Sequence, residues 1–196
     1  LSSAKPDPAR LAGRLAFLRE AERLKSVLRS GFTSSGRPES TAEHSWRLCL
    51  MALVFADELP GLDLARVLKL CVVHDLGEAI HGDIPAIHQH AHPDKSAQES
   101  EDLLTLTRDL DPPLRAEIIG LWDEYEAAAT PEAQAVKAFD KLETILQHNQ
   151  GDNPPDFDYA FNLGYGRKHT ATAPLFVALR DILDAETRQR DVSSGC

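Results

Sequence analysis

The chemistry in this chain is concentrated in one stretch, LKLCVVHDLGEAIHGDIP, running from Leu68 to Pro85. An apolar run ends in the adjacent pair His74 and Asp75. Glu78 follows one helical turn after His74, and Gly82-Asp83 closes the segment before Pro85. Imidazole and carboxylate are costly to bury unless each is paired or bound to a metal. A cation accounts for both residues together, and two further candidate ligands lie elsewhere. His44 continues the helical face of Leu48, Met51 and Phe55, and Asp140 stands next to Phe139 within a buried stripe. Two imidazoles and two carboxylates suit one borderline divalent transition metal: Mn, Co, Fe, Ni or Zn. Such an ion can lower the pKa of a water and polarise a phosphoryl oxygen. Glu78 can then lie near the ion without binding it, a placement that suits a general acid or base. Taken singly, each residue has a plainer explanation. His44 alone is a core histidine bonded to a backbone carbonyl, Asp140 an ion pair with Lys137 or Lys141, and Glu78 a surface carboxylate.

The elements that must position these groups read as helices. Leu11, Leu15, Leu18, Val27 and Leu28 recur at helical spacing and predict a first amphipathic helix ending near Arg29. Ser30 to Pro38 is rich in Ser and Gly and reads as a loop. Around it Arg29, Phe32 and Arg37 are the candidates for contact with a ligand, against the alternative that each Arg is solvated. Ser40 and Glu43 form a capping box for a second helix, which puts His44 in its first turn. Asp63 caps a third helix, predicted from Leu64 to about Ile80, with Val67, Cys71, His74 and Glu78 along one strip. Asp83 is able to fold back towards the pair after Gly82. The histidines of HQHAH (His88, His90, His92) read as a solvated loop, and His81 as structural or exposed. A fourth helix is predicted from Ser96 to Asp109, with Ser96 and Glu99 as a capping box, before a break at Pro112-Pro113. A fifth runs from Leu114 to Tyr125. Thr130-Pro131-Glu132 starts a sixth that reaches about Asn149. Irregular chain follows from Asp152 to Tyr165, then a last helix from Leu175 to about Gln189. No segment reads as a strand. The expected fold is therefore all-α, one domain over residues 1–196, with a helical core over about 9–190 and short polar tails.

Composition narrows the function. The 196 residues are 42% hydrophobic and 27% charged, enough for a substantial core. A formal net charge of −10 argues against a nucleic-acid polymer as partner, because that binding rests on neutralising phosphates with Lys and Arg. A mononucleotide is not excluded, since a local metal ion outweighs the global field. Cys49, Cys71 and Cys196 show no CxxC spacing, and Cys49 and Cys71 sit in apolar helical context, so these two are expected to be buried thiols in a reducing compartment. No run approaches the ~20 apolar residues that span a bilayer. No membrane association is expected, and the cytoplasm is the expected compartment.

The pattern His44, His74-Asp75 and Asp140 resembles the HD-domain superfamily of metal-dependent phosphohydrolases. Arg29, PESTAEH (Pro38 to His44), HDLGEAIHGDIP (His74 to Pro85) and VKAFDKLETIL (Val136 to Leu146) resemble its 5′-deoxynucleotidase branch, the YfbR-like enzymes and the HD-domain-containing protein 2 group. The similarity runs over roughly Leu15 to Gln150. It implies an HD-domain helical bundle and hydrolysis of deoxyribonucleoside 5′-monophosphates to deoxynucleoside and phosphate. It puts the metal on His44, His74, Asp75 and Asp140, catalysis on Glu78, a sugar-hydroxyl contact on Asp83 and a substrate contact on Arg29. The bacterial enzymes carry Trp directly after that Arg; this chain has Ser30, with Phe32 as the candidate apolar wall. Members of the family are often homodimers. Two other readings remain open. One is another HD-type enzyme, such as a phosphodiesterase or an oxygenase with two irons. The other is a nucleotide-binding module without catalysis, whose expected mark would be loss of a ligand or of Glu78.

Overall fold

A computed structural model describes residues 7–194; most of the expected polar tails, and Cys196, lie outside them. The architecture is helical, with one short hairpin. α1 (Pro8–Ala21) leads through a 3-10 turn to β1 (Leu28–Phe32), which pairs antiparallel with β2 (Pro38–Ser40). α2 (Thr41–Val54), α3 (Leu64–Val73) and α4 (Glu78–His81) follow, then α5 (Lys95–Leu106), α6 (Pro112–Ala127) and α7 (Pro131–Gln150). The short α8 (Ala160–Gly164) and α9 (Arg167–Thr170) precede α10 (Pro174–Ser194). Among the described residues no helix is long and apolar enough to cross a membrane.

α7 is the central element. Thr130 caps it by accepting from the Ala133 N–H, and Pro131 occupies its first turn, where no N–H is needed. Val136, Phe139, Leu142 and Ile145 are fully buried. They pack against apolar residues of α2, α3, α6 and α10 in one core cluster. Phe139 lies between Phe55, stacked with ring centroids 6.2 Å apart, and Phe176, edge-on at 5.0 Å. Phe139→Ala is expected to cost about 3–5 kcal/mol by lost transfer energy and an unfilled cavity. Urea unfolding would show it as a lower midpoint at unchanged slope.

Several elements differ from the sequence expectations. The first helix stops at Ala21, and its Leu11, Leu15 and Leu18 are 45%, 51% and 61% exposed rather than packed inward. Arg29 and Phe32 lie on a strand, not at a helix end or in a loop. The third helix ends at Val73, not near Ile80. Over residues 74–79 the backbone tightens into i→i+3 bonds (Leu76 N–H to Val73 O, Glu78 N–H to Asp75 O, Ala79 N–H to Leu76 O). Gly77 lies at the centre of this turn because a Cβ there would come within 2.7 Å of the Glu99 carbonyl oxygen on α5. After α4, Gly82 takes φ +89° and ψ 173°, a conformation essentially reserved for glycine, and the chain reverses to deliver Asp83. α5 begins at Lys95 without a side-chain cap; Ser96 instead bonds Glu126 across to α6. Pro112 and Pro113 start a helix rather than break one. Leu104 and Ile182 face solvent.

Candidate metal and phosphoester site

Three elements bring the four candidate ligands to one point. The capping box of α2 is complete: the Ser40 hydroxyl accepts from the Glu43 N–H, and the Glu43 carboxylate accepts from the Ser40 N–H. Arg37 joins it by donating to Glu43, holding that carboxyl at about 2. Arg37 is therefore a helix-start residue and does not line the site. The box fixes His44 one turn into α2, fully buried. His74 caps α3 and Asp75 begins the tight turn, while Asp140 projects from α7.

The four side chains stand in a chain of short contacts. His44 Nε2 lies 3.3 Å from His74 Nε2, 3.2 Å from Asp140 Oδ1 and 3.8 Å from Asp75 Oδ2. His74 Nε2 lies 2.9 Å from Asp75 Oδ2. The ligating atoms of His44, His74 and Asp75 all fall within 4.8 Å of one another, and Asp140 borders them through His44. Donors about 2.1 Å from one ion stand about 3.0–3.4 Å apart; the His44–His74 and His44–Asp140 separations match this, while those from Asp75, 2.9 and 3.8 Å, lie to either side of it.

The partners behind these groups set their orientation. His74 Nδ1 lies 2.8 Å from the Cys71 carbonyl oxygen, and a proton donated there leaves the Nε2 lone pair facing inward. His44 Nδ1 meets Glu143, whose other oxygen accepts from Arg47 Nε at 2.6 Å. Both imidazoles thus present Nε2 to the same point. Asp140 divides its oxygens. Oδ2 accepts from the Tyr125 hydroxyl at 2.7 Å and from Lys141 at 2.8 Å, while Oδ1 faces His44. The ion pair weighed as the plain alternative exists, but it uses only one oxygen. A second trio, Glu39, His44 and Glu143, is equally close. Both oxygens of Glu143 are already engaged there, so it serves as support for His44.

Electrostatics follow from burial and neighbours. Burial works against the charge of Asp75, but His74, Arg29 and His44 outweigh it and hold its pKa below the ordinary carboxylate value. Asp140 is also held low: burial opposes this, and Lys141 and the two histidines prevail. Glu78 goes the other way. Burial first, then the charges of Asp75 and Asp83, push its pKa well up. Burial and Glu143 raise Glu39 to about 7.

A cavity of about 1000 Å³ opens beside the cluster, lined by Arg29, Phe32, Glu78 and Asp83 together with His74, Asp75 and Asp140. His44 lies behind this wall. Arg29 reaches in from β1, donating to Asp75 Oδ2 at 3.3 Å and Thr144 Oγ1 at 3.2 Å. Of the clustered histidines, His92 lines the cavity, while His88 and His90 are exposed on a 3-10 turn. His81 contacts Asp102 at 2.7 Å, away from the site. Sequence reasoning missed Glu143, Tyr125, Lys95 and Thr41. Glu143 alone left a trace, being seven residues after Val136 and so on the same buried face of α7.

Comparison with known proteins identifies the family. The sequence matches the HD domain family over residues 21–180. It is 38% identical over 138 residues to the human 5′-deoxynucleotidase HDDC2, covering 69% of this chain and 67% of that one. It is 40% identical over 137 residues to the 5′-deoxynucleotidase hdd1 of Schizosaccharomyces pombe, covering 67% and 68%. Among solved structures, a protein of Magnetospirillum magnetotacticum described as a "predicted metal-dependent phosphohydrolase" superposes with a TM-score of 0.82 at 29% identity, over 95% of this chain and 97% of that one.

Proposed function

Because the chain belongs to the HD-domain family, we propose that it hydrolyses deoxyribonucleoside 5′-monophosphates to deoxynucleoside and phosphate, using one divalent metal. The observation that carries this reading is the convergence of two inward-facing imidazole nitrogens, 3.3 Å apart, with two carboxylates whose pKa values are held low. Two nitrogens so close need a proton or a metal ion between them. Against burial, the carboxylates of Glu143 and Asp140 hold a proton on His44, raising its pKa to about 10, and the same two imidazoles and two carboxylates fit a divalent metal in its place. His44, His74, Asp75 and Asp140 would hold it, and the mixed nitrogen and oxygen set suits Mn, Co, Fe, Ni or Zn. A bound ion would supply Lewis acidity toward a phosphoryl oxygen and a lowered pKa for a nearby water.

The chain's own residues do the rest. Arg29, always charged, offsets the phosphoryl oxygens at the cavity wall. Asp83 is assigned to a sugar hydroxyl and Phe32 to the apolar wall. Hydrolysis joins a water oxygen to phosphorus and breaks the bond from phosphorus to the 5′ oxygen. The water gives up a proton and the departing oxygen gains one. Glu78 is the group placed to carry it, because its raised pKa lets it hold a proton nearer neutrality than an ordinary carboxylate.

Glu143 is expected to matter through His44. Glu143→Gln should weaken metal affinity by about 10–100-fold, the usual cost of losing such a partner. Titration of chelator-stripped protein with Mn would read this directly. The reaction itself is tested by phosphate release from a panel of deoxy- and ribonucleoside 5′-monophosphates with Mn, Co, Ni or Zn added. Turnover of deoxynucleotides is expected; silence across the panel would leave a binding module, and two irons per chain would favour an oxygenase.

A further inference from the structure

Glu78 is gripped from two sides by residues of two other helices. The Thr41 hydroxyl, on the first residue of α2, donates to Glu78 Oε2 at 3.3 Å. Lys95, the first residue of α5, places Nζ 3.5 Å from Glu78 Oε1. Lys95 is itself anchored by Glu99, one turn further along α5. Both Lys95 and Glu99 line the cavity. The approach is built into the backbone, since Gly77 lets α5 lie against the turn that carries Glu78.

Local helix physics does not explain this lysine. A cation in the first turn opposes the helix dipole, and Lys four residues before Glu is the poorer order for an ion pair on a helix. α5 has neither a side-chain cap nor an acid in its first turn to compensate. Local rules broken in this way point to a functional demand. Burial lowers the lysine's pKa, but Glu99 and Glu78 outweigh it, so it stays charged.

Resting on the hydrolase reading above, we propose that Lys95 is a positioning residue: anchored by Glu99, its ammonium holds the Glu78 carboxylate in the orientation from which it handles the proton. Proton transfer needs heavy atoms about 2.6–3.2 Å apart, and a misplacement of about 1 Å costs about 100-fold. A glutamate held at one oxygen only would swing.

The test uses the full-length, metal-loaded protein and the deoxynucleotide it turns over fastest. Lys95→Met is expected to lower kcat by about 10–100-fold, with KM within about twofold and metal per chain unchanged. Lys95→Arg should recover most of the loss. Glu99→Gln, which keeps the lysine but frees it, should lose roughly 3–10-fold. In a Glu78→Gln background, Lys95→Met should lower kcat no further than about twofold, because the lysine acts only through Glu78. Wild-type kcat in Lys95→Met, a rise in KM alone, or multiplying losses in the double variant would overturn the inference while leaving the hydrolase reading intact. A wild-type protein that releases no phosphate would overturn both.

Discussion

Asp140→Asn is expected to strip the protein of its metal and, with it, of nearly all activity. The substitution keeps the shape of the side chain and leaves the Tyr125 hydroxyl an oxygen to donate to. It removes the negative charge that Oδ1 directs at His44, 3.2 Å away. Losing a direct ligand should weaken binding by more than the ~10–100-fold that a partner behind a ligand costs. Lewis-acid stabilisation is worth several kcal/mol, so phosphate release should fall by at least about 10³-fold at limiting metal. Metal analysis of the purified variant, alongside circular dichroism to show that the helices persist, checks both parts. Full metal content in Asp140→Asn would remove Asp140 from the site.

Glu78→Gln is expected to separate chemistry from metal binding. The amide occupies the same volume and still accepts from Thr41, but it cannot carry a proton. General acid–base groups contribute about 10²–10⁴-fold, and kcat should drop by that much. Metal content and KM should stay near the wild-type values, because Glu78 neither ligates nor binds the nucleotide in this account. A variant within a few-fold of wild-type kcat would show that the proton travels elsewhere.

What could be read before the fold was known has a physical pattern. His74 and Asp75 were legible because they end an apolar run, where burial without a partner is costly. Asp140 was legible for the same reason, beside Phe139 on a buried face. The starts of α2 and α7 were legible because capping is local chemistry, and Ser40, Glu43 and Thr130 act as expected. The hairpin was not. β1 is five residues of mixed character, LRSGF, and β2 is three, PES, so neither carries an alternation long enough to read. The break after Val73 was hidden because it depends on Glu99, more than twenty residues away, packing over Gly77. Lys95, Glu99 and Tyr125 look like ordinary helix residues in the sequence. Only the docking of α5 and α6 turns them towards the cavity. The exposed Leu11, Leu15 and Leu18 show the converse: helical spacing of apolar residues sets a face but not whether anything in the described chain covers it.

The most direct test of the central claim, that one ion among His44, His74, Asp75 and Asp140 drives phosphate release, is a titration of chelator-stripped protein with Mn, following bound metal and deoxynucleotide hydrolysis in the same samples. The account predicts no hydrolysis in the stripped protein, a single site per chain, and activity that rises in proportion to its occupancy. Activity undiminished by chelation, or a filled site without hydrolysis, would contradict it.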